Sequence, residues 1–211
     1  MNRPLHLAHL SGDETLTRLF QEGVDVHGET AHSLNIDRDS AKQVNFGICF
    51  GISAGRLAGR ISQVRREQGL PPVDQATAQT YIDHFDARYP GVKGFFETEW
   101  DRMKNRPKSE RVVKSLLGRI RRFDTTASRP VERKFRVTWP QQIEADLIKT
   151  AMVRLDRIFK RRKMGSRIVM MIHDALWVEA PQEEATEVRH LMKRMMTTAA
   201  KLTVPLEVDF K

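Results

Sequence analysis

The sequence predicts an α+β protein that is mostly helical and carries a small antiparallel sheet in its last third. Apolar residues recur at helical spacing from residue 5 to residue 158. Two apolar runs, 168–172 and 175–178, are then separated only by His173 and Asp174. Two residues is the loop length of a β-hairpin. A third apolar run, 204–210, completes the predicted three-stranded sheet.

Periodicity and capping residues predict each element in chain order. The predicted helices span 5–22 with a break at SGDE, 27–34, Asp37 as cap to about Phe50, 53–66, 75–88 and 92–106. A charged loop at 104–110 and a hairpin around Gly118 follow. A long helix is expected to begin near Pro140 and a last one to span 182–202. The inward residues of the long helix are Ile143, Leu147, Ala151, Leu155 and Ile158.

The composition indicates an anionic partner. Lys and Arg number 36 against 27 Asp and Glu, so the net charge is +9 and the sequence pI is about 10.0. No apolar run approaches the roughly 20 residues of a membrane span, so nucleic acid is favoured over a membrane. Cys49 is the only cysteine, which excludes an internal disulfide framework. The N-terminus has no apolar signal-peptide core, and we expect a protein of the cytoplasm or, alternatively, of the nucleoid or replication site of the host.

A candidate phosphate-binding stripe lies on the helix that Asp37 caps. Arg38, Lys42, Phe46 and Phe50 are spaced by four and therefore share one helix face. Two cations followed by two rings can neutralise phosphates and stack on a base or sugar. His27 could add a hydrogen-bond donor. The alternative is an ordinary amphipathic helix whose basic start is solvated.

Two glycines interrupt the same region. A glycine inside a helix costs about 1 kcal/mol relative to alanine, so the backbone near Gly47 needs space. The plain interpretation makes Gly51 a left-handed C-cap and Gly47 a packing contact.

Asp174 is a candidate metal ligand. A carboxylate at a two-residue turn between apolar strands is displayed at the sheet edge, where it can bind Mg²⁺. Two cations about 3.5 to 4 Å apart clamp the oxygens in many phosphoryl transfers. Asp is also a common turn residue, so a structural role is the alternative.

Several motifs together resemble family A DNA polymerases, the group of bacterial DNA polymerase I. RDSAKQVNFGICFG at 38–51 is similar to the fingers-helix motif, and IHDA at 172–175 to the palm motif. Further matches are LAHLSGDE at 7–14, D-x-H-x-E-T-A at 25–31, ARYPGV at 87–92, ADLIKTAM at 145–152 and VPLEV at 204–208. Their order and rough spacing hold across nearly all 211 residues.

The resemblance implies a partial polymerase domain: a palm-associated helix in 1–26, fingers in 27–106 and palm in 107–211. In such enzymes the fingers helix closes over the incoming nucleotide. The matches to the triphosphate-binding residues are His27, Arg38 and Lys42, with Lys42 also the general acid for pyrophosphate. The dNTP-binding rings would be Phe46, beside the sugar and base, and Phe50. Gly47 and Gly51 would keep the helix slim where the template base passes.

In the palm, the resemblance implies that Asp174 binds catalytic Mg²⁺ and that His173 contacts the primer end. Gln141 or Gln142 would match a minor-groove glutamine, in a segment one residue short. In the fingers-helix motif, Phe50 occupies a position that is usually tyrosine in the family.

Two further departures concern the metal site. Ala175 replaces the usual glutamate of the palm motif. The aspartate of the first palm motif would fall before Met1, and Arg3 replaces a nearby glutamate. We therefore expect a chain that starts inside the polymerase domain, lacks the thumb and is inactive alone.

The leading hypothesis is template-directed DNA synthesis on a primed DNA template, with nucleotidyl transfer from a dNTP to the primer 3′-OH. The chain would be a fragment, or one half of a split enzyme whose partner is an N-terminal polymerase fragment with the missing motif and thumb. One alternative is a non-catalytic nucleic-acid-binding remnant, and another is an unrelated basic DNA-binding protein. Retention of Arg38, Lys42, Phe46 and Asp174 together favours the first.

Overall fold

The structure, a computed structural model, describes residues 3–123 and 128–210. Its helices are α1 (Arg3–Ser11), α2 (Glu14–Gln21), α3 (Val26–Leu34), α4 (Arg38–Cys49), α5 (Ala54–Glu67), α6 (Gln75–Arg88), α7 (Pro90–Lys104), α8 (Arg129–Arg162) and α9 (Ala185–Thr197). Its strands are β1 (Val112–Lys114), β2 (Ile120–Arg122), β3 (Arg167–Ile172) and β4 (Ala175–Glu179). Short 3-10 turns span Lys108–Glu110 and Gln182–Glu184.

Aspartates begin four of these helices. The side chains of Asp13, Asp25, Asp37 and Asp74 each accept a hydrogen bond from a backbone N–H in the first turn. For α4, Asp37 Oδ1 lies 2.7 Å from the Ser40 nitrogen, which confirms the predicted cap. Such a cap stabilises a helix by about 1 kcal/mol relative to alanine.

The described chain forms two compact units. Of the described residues, the larger unit contains 3–113, 121–123 and 128–140, and the smaller contains 114–120 and 141–210. In the larger unit α4 packs against α1, α3, α5 and α6. This central position explains why most of the helix is buried.

A second cluster of the larger unit surrounds Phe135. It joins α7, the β1–β2 hairpin and the first half of α8 through Met103, Val113, Phe123, Val131 and Phe135. The hairpin predicted around Gly118 is confirmed, since β1 and β2 form a two-stranded sheet.

The core of the smaller unit lies between α8 and α9. Its buried members are Ile148, Ala151, Leu155, Ile158, Phe159, Val188, Leu191, Met195 and Met196. All five inward residues predicted for the long helix are buried. Strands β3 and β4 pair antiparallel with Ile172 opposite Ala175, so the two-residue turn is also confirmed. Ile168, Leu176 and Val178 of this hairpin pack against the core.

Three element predictions were wrong. Helix α8 begins at Arg129 and contains Pro140, because Val131 and Phe135 extend the buried stripe on the N-terminal side of the proline. Helix α9 ends at Thr197, five residues before the predicted end.

The third wrong prediction is the strand at 204–210, which has no regular structure in its described residues. Val204 and Leu206 are buried there without strand pairing. The described chain therefore contains two separate two-stranded sheets and not one of three strands. None of the described helices combines the length and apolar character that crossing a membrane requires.

Candidate nucleotide and metal sites

Helix α4 presents the predicted stripe to solvent. Arg38 and Lys42 are exposed, and Phe46 and Phe50 are half-buried. The remaining face, from Ser40 to Cys49, is almost entirely buried against neighbouring helices. The side chains that remain accessible are therefore those able to meet a ligand.

His27 of α3 joins this stripe through Phe46. The two ring centroids lie 5.3 Å apart at an interplanar angle of 74°, and Lys42 Nζ lies 5.9 Å from the Phe46 centroid. The structure thus brings His27, Lys42 and Phe46 together. His27 is only 7% exposed, so it offers a ring edge to a ligand and little else.

Asp25 is a residue of this site that the sequence interpretation missed. It accepts a fork of two hydrogen bonds from Arg38, with Nε to Oδ2 at 2.7 Å and Nη2 to Oδ1 at 3.1 Å. Its Oδ1 also accepts from the His27 backbone nitrogen at 3.1 Å. The ion pair fixes a long side chain that would otherwise be mobile. The signal was the D-x-H spacing, in which the helix cap stands two residues before His27.

These contacts set the protonation of the site. The Arg38 hydrogen bonds hold the pKa of Asp25 below its ordinary value, so the carboxylate is ionised at neutral pH. Burial, followed by the Arg38 and Lys42 charges, lowers the pKa of His27, against an opposing effect of Asp25. His27 is therefore neutral at pH 7 and contributes a hydrogen-bond donor without a charge.

Asn45 was also missed. It is fully buried in α4, and its amide nitrogen lies 2.9 Å from His27 Nδ1. The signal for Asn45 in the sequence was a polar amide side chain at an inward position of α4, between Val44 and Phe46. Sequence alone does not show what such an amide contacts on another helix.

The structure resolves the role of the two glycines. A Cβ on Gly47 would lie 2.8 Å from Ile52 Cγ2 and 3.2 Å from Leu57 Cδ1. Gly51 has φ +59°, a left-handed backbone conformation in which a residue with a side chain would be strained. The plain interpretation, a packing contact and a left-handed C-cap, is thus the one observed. The expectation that Gly47 and Gly51 leave room for a template base stays a prediction.

Asp174 and His173 form the β3–β4 turn of the smaller unit. His173 is exposed with φ 53°, and Asp174 is half-buried. In the described parts of the chain, no three His, Cys, Asp or Glu side chains form a metal-binding group. Mg²⁺ prefers six oxygen ligands and commonly uses one or two carboxylates with substrate phosphates and water. Asp174 could supply one carboxylate to such an ion.

The two candidate glutamines of α8 differ in exposure. Gln141 is exposed, whereas Gln142 is 8% exposed. The Gln142 backbone oxygen accepts a hydrogen bond from Arg119 Nη2 at 3.0 Å, and Arg119 also pairs with Asp146. Gln142 Oε1 is buried and receives no hydrogen bond from the residues that the structure describes. Of the two, Gln141 is the one that a groove ligand can reach without rearrangement.

Comparisons with known proteins identify the family of the chain. The family model for DNA polymerase family A matches residues 5–211. The chain is 38% identical to the thermostable DNA polymerase I of Thermus thermophilus, over 96% of this chain and 24% of that protein. It is 32% identical to the DNA polymerase I of Lactococcus lactis, over 96% of this chain and 23% of that protein.

A solved structure is similar throughout the chain. The POL domain of Pol1 from M. smegmatis, in complex with a DNA primer–template and dNTP, superposes with a TM-score of 0.82 at 25% identity. The match covers 97% of this chain and 36% of that one. The chain spans about a quarter of the length of the curated relatives it matches.

Proposed function

The chain belongs to DNA polymerase family A, and from this membership we propose that it supplies the nucleotide-binding helix and the metal-binding turn of a template-directed DNA polymerase. In the proposed reaction the primer 3′-OH attacks the α-phosphate of a dNTP, and pyrophosphate leaves. The observation that carries the proposal is the solvent face of α4, where Arg38 and Lys42 lead to Phe46 beside His27.

Each residue of that face has a distinct proposed task. The Arg38 guanidinium, held by Asp25 through Nε and Nη2, keeps its remaining N–H groups for triphosphate oxygens. Lys42 neutralises charge and passes a proton from Nζ to the departing pyrophosphate. Phe46 packs beside the sugar and base of the nucleotide. These roles extend to this chain what the family resemblance implies.

In the smaller unit, we assign Asp174 to a divalent cation and His173 to the primer end. Bound Mg²⁺ would stabilise negative charge on the reacting phosphate oxygens. The Asp174 carboxylate would bind and orient that ion. Because the two-residue turn contains a single carboxylate, that of Asp174, the proposal requires at least one more ligand from outside the turn.

The exposed side chains of the β3–β4 hairpin favour the proposal that a partner polypeptide packs against it. Its exposed apolar side chains are Val169, Met170, Met171, Ile172 and Trp177. Their exposures reach 54% for Val169 and 55% for Trp177. An isolated two-stranded hairpin is marginally stable in water, and open edges pair readily with further strands. We propose that these side chains are covered by polymerase sequence carrying the first palm motif and the thumb.

A second candidate is a non-catalytic remnant that binds nucleic acid. Ala175, where the family usually has glutamate, favours it. Both candidates predict DNA binding, and only the first predicts nucleotidyl transfer. Primer extension therefore decides between them.

We predict that the chain binds DNA without a partner polypeptide. We expect weak binding to a primed duplex that falls at least about tenfold between 50 and 200 mM salt, because a few phosphate contacts release counterions. Fluorescence anisotropy with a labelled primer–template measures this loss. Affinity that does not change over the same range would contradict a basic DNA-binding surface.

Phe46 is predicted to control selection against nucleotides that lack the 3′-hydroxyl. Phe46→Tyr should raise dideoxynucleotide incorporation relative to the normal substrate by about tenfold, the worth of one new hydrogen bond near the sugar. A competition assay under conditions where extension is restored gives the ratio. Phe46→Leu, which removes the ring and adds no hydroxyl, should not raise it. An unchanged ratio in Phe46→Tyr would place this face of α4 away from the nucleotide sugar.

A further inference from the structure

We propose that Asn45 is a positioning residue that holds His27 as the Nε2–H tautomer, so that the imidazole directs an N–H donor at a nucleotide phosphate. The inference rests on the proposed function of α4 and adds a residue that does not itself touch the nucleotide. It follows from a buried network between α3 and α4.

The neighbours of Asn45 fix the orientation of its amide. The amide nitrogen lies 2.9 Å from His27 Nδ1, 3.1 Å from Thr30 Oγ1 and 3.4 Å from the Val26 carbonyl oxygen. A carbonyl oxygen only accepts hydrogen bonds, so the side of the amide that faces Val26 must be NH₂. Reversing the amide would place Oδ1 against that carbonyl. Because Asn45 is fully buried, water cannot compensate for the repulsion.

The amide orientation then fixes the imidazole. An amide N–H only donates, so His27 Nδ1 must accept, and the one proton of the neutral ring lies on Nε2. Burial and the nearby charges of Arg38 and Lys42 hold the pKa of His27 below its ordinary value, against the opposing carboxylate of Asp25. Because the ring is neutral at pH 7, it carries one N–H, and the position of that proton decides which ring nitrogen can donate a hydrogen bond.

Phe46 packs against the imidazole edge to face, with the ring centroids 5.3 Å apart. Thr30 Oγ1 lies 2.8 Å from the Val26 oxygen and 3.2 Å from Asn45 Oδ1, so its hydroxyl can donate to either oxygen. In the opposite tautomer, with the proton on Nδ1, Nε2 would present a lone pair to the phosphate oxygens. The hydrogen bond from Asn45 to Nδ1 would also be lost. In this proposal Arg38 and Lys42 neutralise the phosphate charge, and His27 donates a directed hydrogen bond to a phosphate oxygen.

The test is a two-bond ¹H–¹⁵N correlation spectrum of the 211-residue chain labelled at histidine, with His27 assigned by its loss in His27→Gln. We expect the wild-type chain to show the Nε2–H pattern at neutral pH, and inorganic tripolyphosphate to perturb Nε2. Asn45→Asp places an acceptor opposite Nδ1. It should transfer the proton to Nδ1 and weaken tripolyphosphate binding about tenfold or more. Asn35→Asp adds the same charge at the exposed end of α3 and should leave the tautomer unchanged.

The outcomes separate this inference from the proposed function. An Nδ1–H pattern in the wild-type chain overturns the inference whatever the titration shows, and this spectrum requires no variant to fold. A persistent Nε2–H pattern in folded Asn45→Asp also overturns it. An Nε2–H spectrum that tripolyphosphate does not perturb overturns the phosphate-binding role of this face, and with it the donor role of His27.

Discussion

Lys42→Ala is expected to lower nucleotide incorporation by about 10²- to 10⁴-fold, the range of general acid–base catalysis, and to change DNA affinity by less than about threefold. Lys42 is exposed one turn after Arg38, and its Nζ lies 5.9 Å from the Phe46 ring. In the proposed function its charge meets the triphosphate and not the duplex. The measurement compares single-nucleotide incorporation and primer–template affinity where a partner polypeptide restores extension.

A matched control removes the same charge elsewhere. Lys193 is exposed on α9 of the smaller unit, and Lys193→Ala should retain incorporation close to the wild-type value. Equal losses of incorporation and DNA affinity in Lys42→Ala would mean that this lysine binds the duplex. That result would remove it from the nucleotide site.

The second large effect concerns Asp174. In a reconstituted polymerase, Asp174→Ala should reduce primer extension below detection, because the neighbouring Ala175 has no carboxylate that could replace the lost metal ligand. Association of the two polypeptides should persist, since the proposed pairing surface consists of the exposed apolar side chains of the hairpin. Extension by gel electrophoresis and association by size-exclusion chromatography provide the two readouts.

Glu179→Ala is the matched control for Asp174→Ala. Glu179 lies at the far end of the same hairpin, where it pairs with Arg167 at the surface. Its removal deletes the same charge from the same element and should leave extension largely intact. If both variants lost extension equally, the cause would be damage to the hairpin and not loss of a metal ligand.

The solvent face of α4 was predictable because its signal is local. Arg38, Lys42 and Phe46 share a face through their spacing alone, and Asp37 caps the helix through residues three positions away. The turn at Asp174 was likewise fixed by two apolar runs separated by two residues. In each case the residues that determine the geometry are close in sequence.

The supporting residues were not predictable, because their partners lie on another helix. Asp25 and Arg38 are 13 residues apart, and Asn45 and His27 are 18 apart. Their contacts depend on how α3 packs against α4, which periodicity does not specify. Each residue alone had an adequate structural explanation, as a helix cap or as a buried amide.

Similar reasons explain the wrong elements. Proline is favoured in the first turn of a helix, so Pro140 suggested a start, yet buried Val131 and Phe135 extend α8 beyond it. The run at 204–210 has strand-like composition, but a strand also needs a neighbour with which to exchange hydrogen bonds. Within the described chain that segment has none.

The most direct test of the central claim is primer extension by the 211-residue chain with Mg²⁺ or Mn²⁺, alone and mixed with a polypeptide that carries the first palm motif and the thumb. That polypeptide can be taken from the part of the Thermus thermophilus relative that precedes the matched region. We predict no templated extension by the chain alone, and extension by the mixture that depends on Asp174. Robust extension by the chain alone, lost in Asp174→Ala, would contradict the account and show that another residue of this chain supplies the second metal ligand.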